Sequence, residues 1–377
     1  MRSHSTRLVT AALVCLLAIP AYATKPQIAP TEEGGHPVDV VIALDVSGSM
    51  SGLIESAKQR LWDIVNELAQ AEPQPDLRLA IVTYGNPSYG EQSGFVRIDM
   101  PFTRDLDAVM QTLFSFGTNG GDEYVARAIH MSVGDLDWST SANAMKILFV
   151  AGNEGAEQDP LISVTQATRS AINKGIVVNT LYCGSEGDNI VAGWQKVANL
   201  TNGLFASIDQ NAAAVANIAT PLDEELAKLN EALNDTYVAY GVDGGLAKEN
   251  QLEQDSNAAD MSLPSVASRT VAKAGALYRN ESWDLVDAQN AGKDLEEIAV
   301  ESLPTEMQAM DADERKQYVA ELGRKRETIS RDIQVLAQQR QDYIDAERAK
   351  LADDEGLDQA IIEGLRDLAE KKGFEFD

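Results

Sequence analysis

Histidine and cysteine are nearly missing from this chain: 377 residues hold three of the first and two of the second. His4, His36 and His130 are scattered, so no histidine cluster exists for zinc. Cys15 lies inside an N-terminal apolar run, which leaves Cys183 alone in the remainder, and one cysteine closes no internal disulfide. Stability must therefore come from a packed core. Cys183 sits in the apolar segment VVNTLYC and reads as a small buried hydrophobe. Basic residues are also scarce, with 31 Lys and Arg against 59 Asp and Glu and a formal charge of −28. Such acidity argues against nucleic acid or an anionic membrane surface as partner, and it raises the local concentration of cations. No G-x-S-x-G elbow, phosphate-binding Gly-Lys-Ser/Thr loop or zinc signature occurs, which removes the commonest hydrolase, nucleotide-binding and zinc-site classes.

The single long apolar run is at the start, MRSHSTRLVTAALVCLLAIPAYA. Two arginines precede it and Ala21-Tyr22-Ala23 ends it with a small-x-small pattern, so residues 1–23 read as a secretory signal peptide cut after Ala23. Cleavage removes Arg2 and Arg7 and no acid, taking the charge from −28 to −30. No later stretch is apolar enough to cross a membrane. Export to a periplasm or the extracellular space is the expectation. Residues 24–36 form a polar Pro/Gly linker.

The most informative stretch follows, Val38 to Met50, VDVVIALDVSGSM. Asp39 aside, it opens as a β-branched apolar run, the mark of a strand buried on both faces of a parallel sheet. Then Asp45, Ser47 and Ser49 alternate on a small-residue loop, and apolar residues at helical spacing follow from Leu53 to Leu68. A carboxylate and two hydroxyls between a strand's carboxyl end and a helix's amino end stand where open α/β sheets place ligands. These oxygens suit Mg²⁺, Mn²⁺ or Ca²⁺. The competing reading is a helix cap built from Asp and Ser.

D-x-S-x-S after such a strand resembles the opening of the metal-ion-dependent adhesion site of von Willebrand factor A (vWA) domains. The resemblance covers about residues 36–235. It implies a Rossmann-like, doubly wound, mostly parallel α/β sheet over 37–235. The pattern agrees: strands over 76–85, 145–150, 175–183 and 203–208 alternate with helices, and an edge strand is expected over 95–102. The resemblance also implies a threonine ligand from a Gly-rich loop, here FGTNGGDEY. Thr118 has the right side chain, whereas Asp122 directly follows the glycine pair, so both are candidates. Glu123 reads as solvated. The family pattern places an aspartate after the next strand, and Ala151 stands there instead. Asn153 and Glu154 are the nearest oxygen-bearing substitutes, and Mg²⁺ tolerates water in place of a lost ligand.

Residues 236–377 read as an α-helical region. A long charged helix spans about 312–351, with Val319, Leu322, Ile329, Ile333, Leu336 and Tyr343 on a 4-3 stripe. Arg326 and Arg340 fall on the same stripe, which weakens a coiled-coil reading. The alternatives are a hairpin against Leu357 to Leu368 and self-association through a coiled coil.

The resemblance implies a binding module that recognises a protein partner, through its acidic side chain, at a divalent cation; the signal peptide makes it an exported one, and the missing catalytic motifs argue against an enzyme. The alternatives are a metal-independent scaffold acting through the loops and the helical tail, metal-assisted hydrolysis at the Asp45 loop, and a cytosolic ATPase adaptor, against which the signal peptide argues.

Overall fold

A computed structural model describes residues 36–207, 218–350 and 357–376. The signal peptide read at 1–23 and the linker read at 24–36, apart from His36, lie outside the described residues. In chain order the first half contains β1 (His36–Asp45), α1 (Ser51–Leu68), β2 (Ala71–Glu72), β3 (Pro75–Tyr84), β4 (Val96–Thr103), α2 (Leu106–Phe114), α3 (Val125–Asp135), β5 (Met145–Gly152), α4 (Val164–Asn173), β6 (Val177–Tyr182), α5 (Val191–Thr201) and β7 (Phe205–Ser207).

Six of these strands form one sheet in the order β4-β3-β1-β5-β6-β7. β1 lies near the centre, parallel to β3 and β5, and only β4 at the edge runs antiparallel. The burial of β1 explains its uniform apolarity. Val38, Val40, Ile42 and Leu44 face the α1 side, whereas Val41 and Ala43 face the α3 side, as the two-residue period of a strand requires. Asp39 is the exception to that apolar run, and Arg78 opposite it on β3 neutralises it with two hydrogen bonds of 2.8 Å. The helical period seen in α1 buries Ile54, Leu61, Ile64, Val65 and Leu68. The sheet is thus covered on both faces, the doubly wound α/β arrangement expected from the strand and helix alternation.

The second half contains α6 (Asp223–Asn234), α7 (Gly244–Met261), α8 (Leu263–Ala274), α9 (Leu285–Asn290), α10 (Thr305–Gln308), α11 (Ala312–Arg348), α12 (Leu357–Glu370) and β8 (Glu375–Phe376). The polar, glycine-containing segment from Gly241 is helical from Gly244 onward. This helical region is built into the α/β unit. α8 packs on α1 and α6, and α11 packs on α6, α8 and α9. β8 pairs antiparallel with β2, Ala71 opposite Phe376.

Most of the stripe on α11 therefore packs within the chain: Val319, Ile329 and Ile333 are buried and Leu322 and Leu336 half-buried, whereas Tyr343 is exposed. α12, the helix expected to complete a hairpin, instead packs against β7 and β8. Arg366 of α12 pairs with Glu67 of α1. The two arginines on the stripe also have partners. Arg326 reaches Asp284 and Asp287 at 2.7 Å each, bonds the hydroxyl and carbonyl of Thr236, and lies 3.9 Å from the centre of the Tyr237 ring. Arg340 reaches Asp223 at 2.9 Å. Asp223 and Asp284 are fully buried, and a buried carboxylate needs a paired cation.

Candidate functional site

β1 ends at Asp45, the first residue of the loop that leads into α1. Its side chain is fully buried. Oδ1 accepts the Ser47 backbone N–H at 2.7 Å, whereas Oδ2 is buried with no hydrogen-bond partner. Burial pushes this carboxyl up to about 6; the amide and hydroxyl of Ser47 offset part of that, and the nearby Glu154 charge adds to it. The N-cap position of α1 falls on Met50, not on Asp45 or either serine, so helix capping does not account for a buried carboxylate here.

Ser47 is buried and Ser49 is exposed, with their hydroxyl oxygens 3.4 Å apart. Asn153, just past β5, donates from Nδ2 to Ser49 Oγ at 2.9 Å. Its Oδ1 is buried and unpartnered, a second orphaned acceptor in the same place. The loop carrying Asn153 and Glu154 is anchored from below. Trp194 on α5 donates its indole N–H to the Glu154 carbonyl at 2.8 Å. Arg127 on α3 grips Asp159 through bonds of 2.9 and 3.0 Å.

The structure brings Glu123, not Asp122, beside Asp45. Burial and then the Asp45 and Glu154 charges push Glu123 up to about 7, against a hydrogen bond from Ser47. A Cβ placed on Gly85 would lie 2.7 Å from Asp45 Oδ1 and 3.0 Å from Glu123 Cγ, so both acids crowd one point above the end of β3. Asp122 is exposed; it bears on Tyr124, whose phenol is raised by burial first and by Asp122 next. Thr118 is half-buried on the same loop, and among the described residues it makes no hydrogen bond to Asp45, Ser47 or Ser49.

The glycine pair explains this placement. A Cβ on Gly121 would lie 2.6 Å from the Gly85 carbonyl and 2.7 Å from Pro87 Cδ. Only glycine allows that approach. Asn119 ties the loop down further, donating its N–H to the Val46 carbonyl at 2.9 Å. The chain then turns so that Glu123, two residues on, faces the sheet's end. Glu123 carries no local signal in the sequence, because its placement depends on the contact of Gly121 with Gly85, in a loop distant along the chain.

The end of β5 is small for a different reason. The Tyr84 hydroxyl donates to the Ala151 carbonyl at 2.9 Å, and a Cβ on Gly152 would lie 2.3 Å from that hydroxyl. Tyr84 thus fills the space beside Asp45 that a longer side chain on β5 would need.

The assembled donors are all oxygens: Asp45, Ser47, Ser49, Asn153 Oδ1 and Glu123, with the charge of Glu154 nearby. Cys183 lies close enough for Asp45 to bear on it, but its thiol is pushed up to about 12 by burial and then by Asp45, so it offers no thiolate. The set fits a hard divalent cation, whose charge would offset the carboxylates gathered here. Among the described residues no three His, Cys, Asp or Glu side chains converge as a metal-holding group; the arrangement relies on hydroxyl and amide oxygens beside its acids.

Among solved structures, the chain is similar to a von Willebrand factor type A protein from Catenulispora acidiphila, at 19% identity over 46% of this chain and 39% of that one, with a TM-score of 0.36. It is also similar to the pilus adhesin SpaC from Lactobacillus rhamnosus GG, at 14% identity over 47% of this chain and 28% of that one, TM-score 0.37. A third is proximal thread matrix protein 1 from the mussel byssus, described with a zinc-occupied MIDAS motif, at 10% identity over 47% and 43%, TM-score 0.36. The chain thus spans less than half the length of each of these three. Curated protein sequences give no significant match. The family model for the von Willebrand factor type A domain matches residues 39–234. That match covers just over half of the 377 residues, and with it the chain belongs to the von Willebrand factor type A family.

Proposed function

We propose that this protein is an exported binding module that engages a protein partner through a divalent cation held at the carboxyl end of its sheet. The observation that carries this reading is the fully buried Asp45, whose Oδ2 has no hydrogen-bond partner and whose carboxylate interacts electrostatically with two further acids, Glu123 and Glu154. A buried carboxylate without a cation is costly, and a bound ion removes that cost. Asp45, Ser47, Ser49, Asn153 and Glu123 would hold it, with Glu154 at the rim. When bound, the ion supplies a Lewis-acidic position for an oxygen of the partner, an acidic side chain being the natural fit. Mg²⁺, Mn²⁺ and Ca²⁺ match the oxygen donors.

Binding is favoured over catalysis by the same side chains. Asn153 engages the Ser49 hydroxyl, which in turn lies beside that of Ser47. Neither serine is set against a histidine base, and His130 is exposed on α3. Export rests on the N-terminal sequence and is checked by mass spectrometry of the mature chain, which should begin at Thr24.

Calorimetric titration of the purified protein with Mg²⁺, Mn²⁺, Ca²⁺ and Zn²⁺, beside Asp45→Ala, tests the cation site. Saturable one-site binding that disappears in the variant is the expected result. No binding to either protein at millimolar ion overturns the reading.

A further inference from the structure

Glu123 is the residue at this site that the sequence pattern gives no reason to include. Three observations set its place. Its Cγ and Asp45 Oδ1 both crowd the point where a Gly85 Cβ would stand. The backbone that presents it is pinned where Gly121 meets Gly85 and Pro87, and where Asn119 bonds to Val46. Glu123 is partly exposed whereas Asp45 is fully buried, so Glu123 is the carboxylate on the solvent side. Two acids held this close repel one another when both are ionised, and a bound cation offsets that repulsion. On the β5 side of the same carboxylate, Asp45 Oδ2 lies beside Gly152, and it and Asn153 Oδ1 are two further buried acceptors without hydrogen-bond partners.

We propose that Glu123 is an internal stand-in for the partner's acidic side chain: a carboxylate from the chain's own loop that takes the solvent-facing position on the ion and must yield before a partner binds. This rests on the cation site proposed above and adds a regulatory element to it. β5 offers no carboxylate, because Ala151 and Gly152 end it beside the Tyr84 hydroxyl. Glu123 restores that charge from the opposite side of the site. It does so from a side open to solvent, where a visiting carboxylate competes for the same position.

The two roles move in opposite directions when Glu123 is changed, which makes the idea testable. The Glu123→Gln variant keeps the shape and removes the charge. Ion affinity should fall by about tenfold or more, in the range seen when groups supporting a metal are lost. Binding of a short peptide bearing one aspartate to the ion-saturated protein should rise by about fivefold or more on the same reasoning, because its internal competitor is gone. The same peptide with asparagine should bind neither protein. Calorimetry reads the first effect and fluorescence anisotropy of a labelled peptide the second, with circular dichroism confirming that the variant is folded.

If Asp45→Ala abolishes ion binding while Glu123→Gln binds the ion as wild type does, the cation site stands and the role of Glu123 falls. Loss of ion affinity without a gain in aspartate-peptide binding likewise overturns the stand-in. If wild type binds no ion at all, both readings fall together.

Discussion

Replacing Arg326 should cost more stability than any surface change on α11, because its guanidinium serves two acids at once. Asp284 is fully buried, and its two carboxylate oxygens already accept the N–H groups of Val238 at 2.6 Å and Asp287 at 2.9 Å. Arg326 supplies its cation at 2.7 Å and the same distance again to Asp287. The Arg326→Met change keeps most of the side-chain volume over Tyr237 and strands Asp284 as an uncompensated buried charge. Removing one partner of a buried pair costs about 3–5 kcal/mol, a large fraction of the roughly 5–15 kcal/mol that holds a typical domain. Urea unfolding followed by tryptophan fluorescence reads the loss, since Trp283 is buried beside Tyr237. The decisive comparison is the double variant Arg326→Met with Asp284→Asn. An amide can still accept one of the two N–H bonds but carries no charge, so the double variant should recover about 1–3 kcal/mol relative to additivity. A single-variant loss below about 1 kcal/mol, the range of an exposed pair, would refute the claim that α11 is fastened through a buried charge.

Burial alone would push Asp255 up, but Arg269 and Lys273 outweigh it and hold the carboxyl well below the usual carboxylate range. A depressed folded pKa means stability that is present above the unfolded value near 4 and lost as pH falls through the folded one. Acid titration of unfolding should therefore be steeper below about pH 4 in wild type than in Asp255→Asn. In chelator at neutral pH, Asp45→Asn should raise stability by about 1–3 kcal/mol, because it removes a buried charge with no cation; a loss of stability would count against the empty-charge reading. The Gly121→Ala change should weaken ion binding by about tenfold while leaving the fold intact by circular dichroism, since the added methyl must push the 117–121 loop off Gly85.

Much of the α/β half was legible because its signals are local. The apolar runs at β1, β3, β5 and β6 announce strands buried on both faces, and the D-x-S-x-S alternation places Asp45, Ser47 and Ser49 on one loop. Glu123 was not legible. Asp122 and Glu123 are adjacent acids after the same glycines, and which one faces Asp45 depends on how closely Gly121 approaches Gly85. Arg326 and Arg340 showed a comparable limit. As members of an apolar stripe they looked like flaws in a seam, because their acids lie 42 and 117 residues away in sequence. The orphan acceptor on Asn153 was in view only as an oxygen two residues beyond Ala151; its bond to Ser49 bridges 104 residues.

The close approach of Gly121 to Gly85 carries a consequence for how this site can vary among related chains. Neither glycine is free to change alone, since a side chain at 121 strikes the backbone at 85 and one at 85 strikes Asp45 and Glu123. Glu123 has value at the site only while both stay bare. These three positions should therefore drift as a linked set, with the acid at 123 lost in relatives where either glycine has given way.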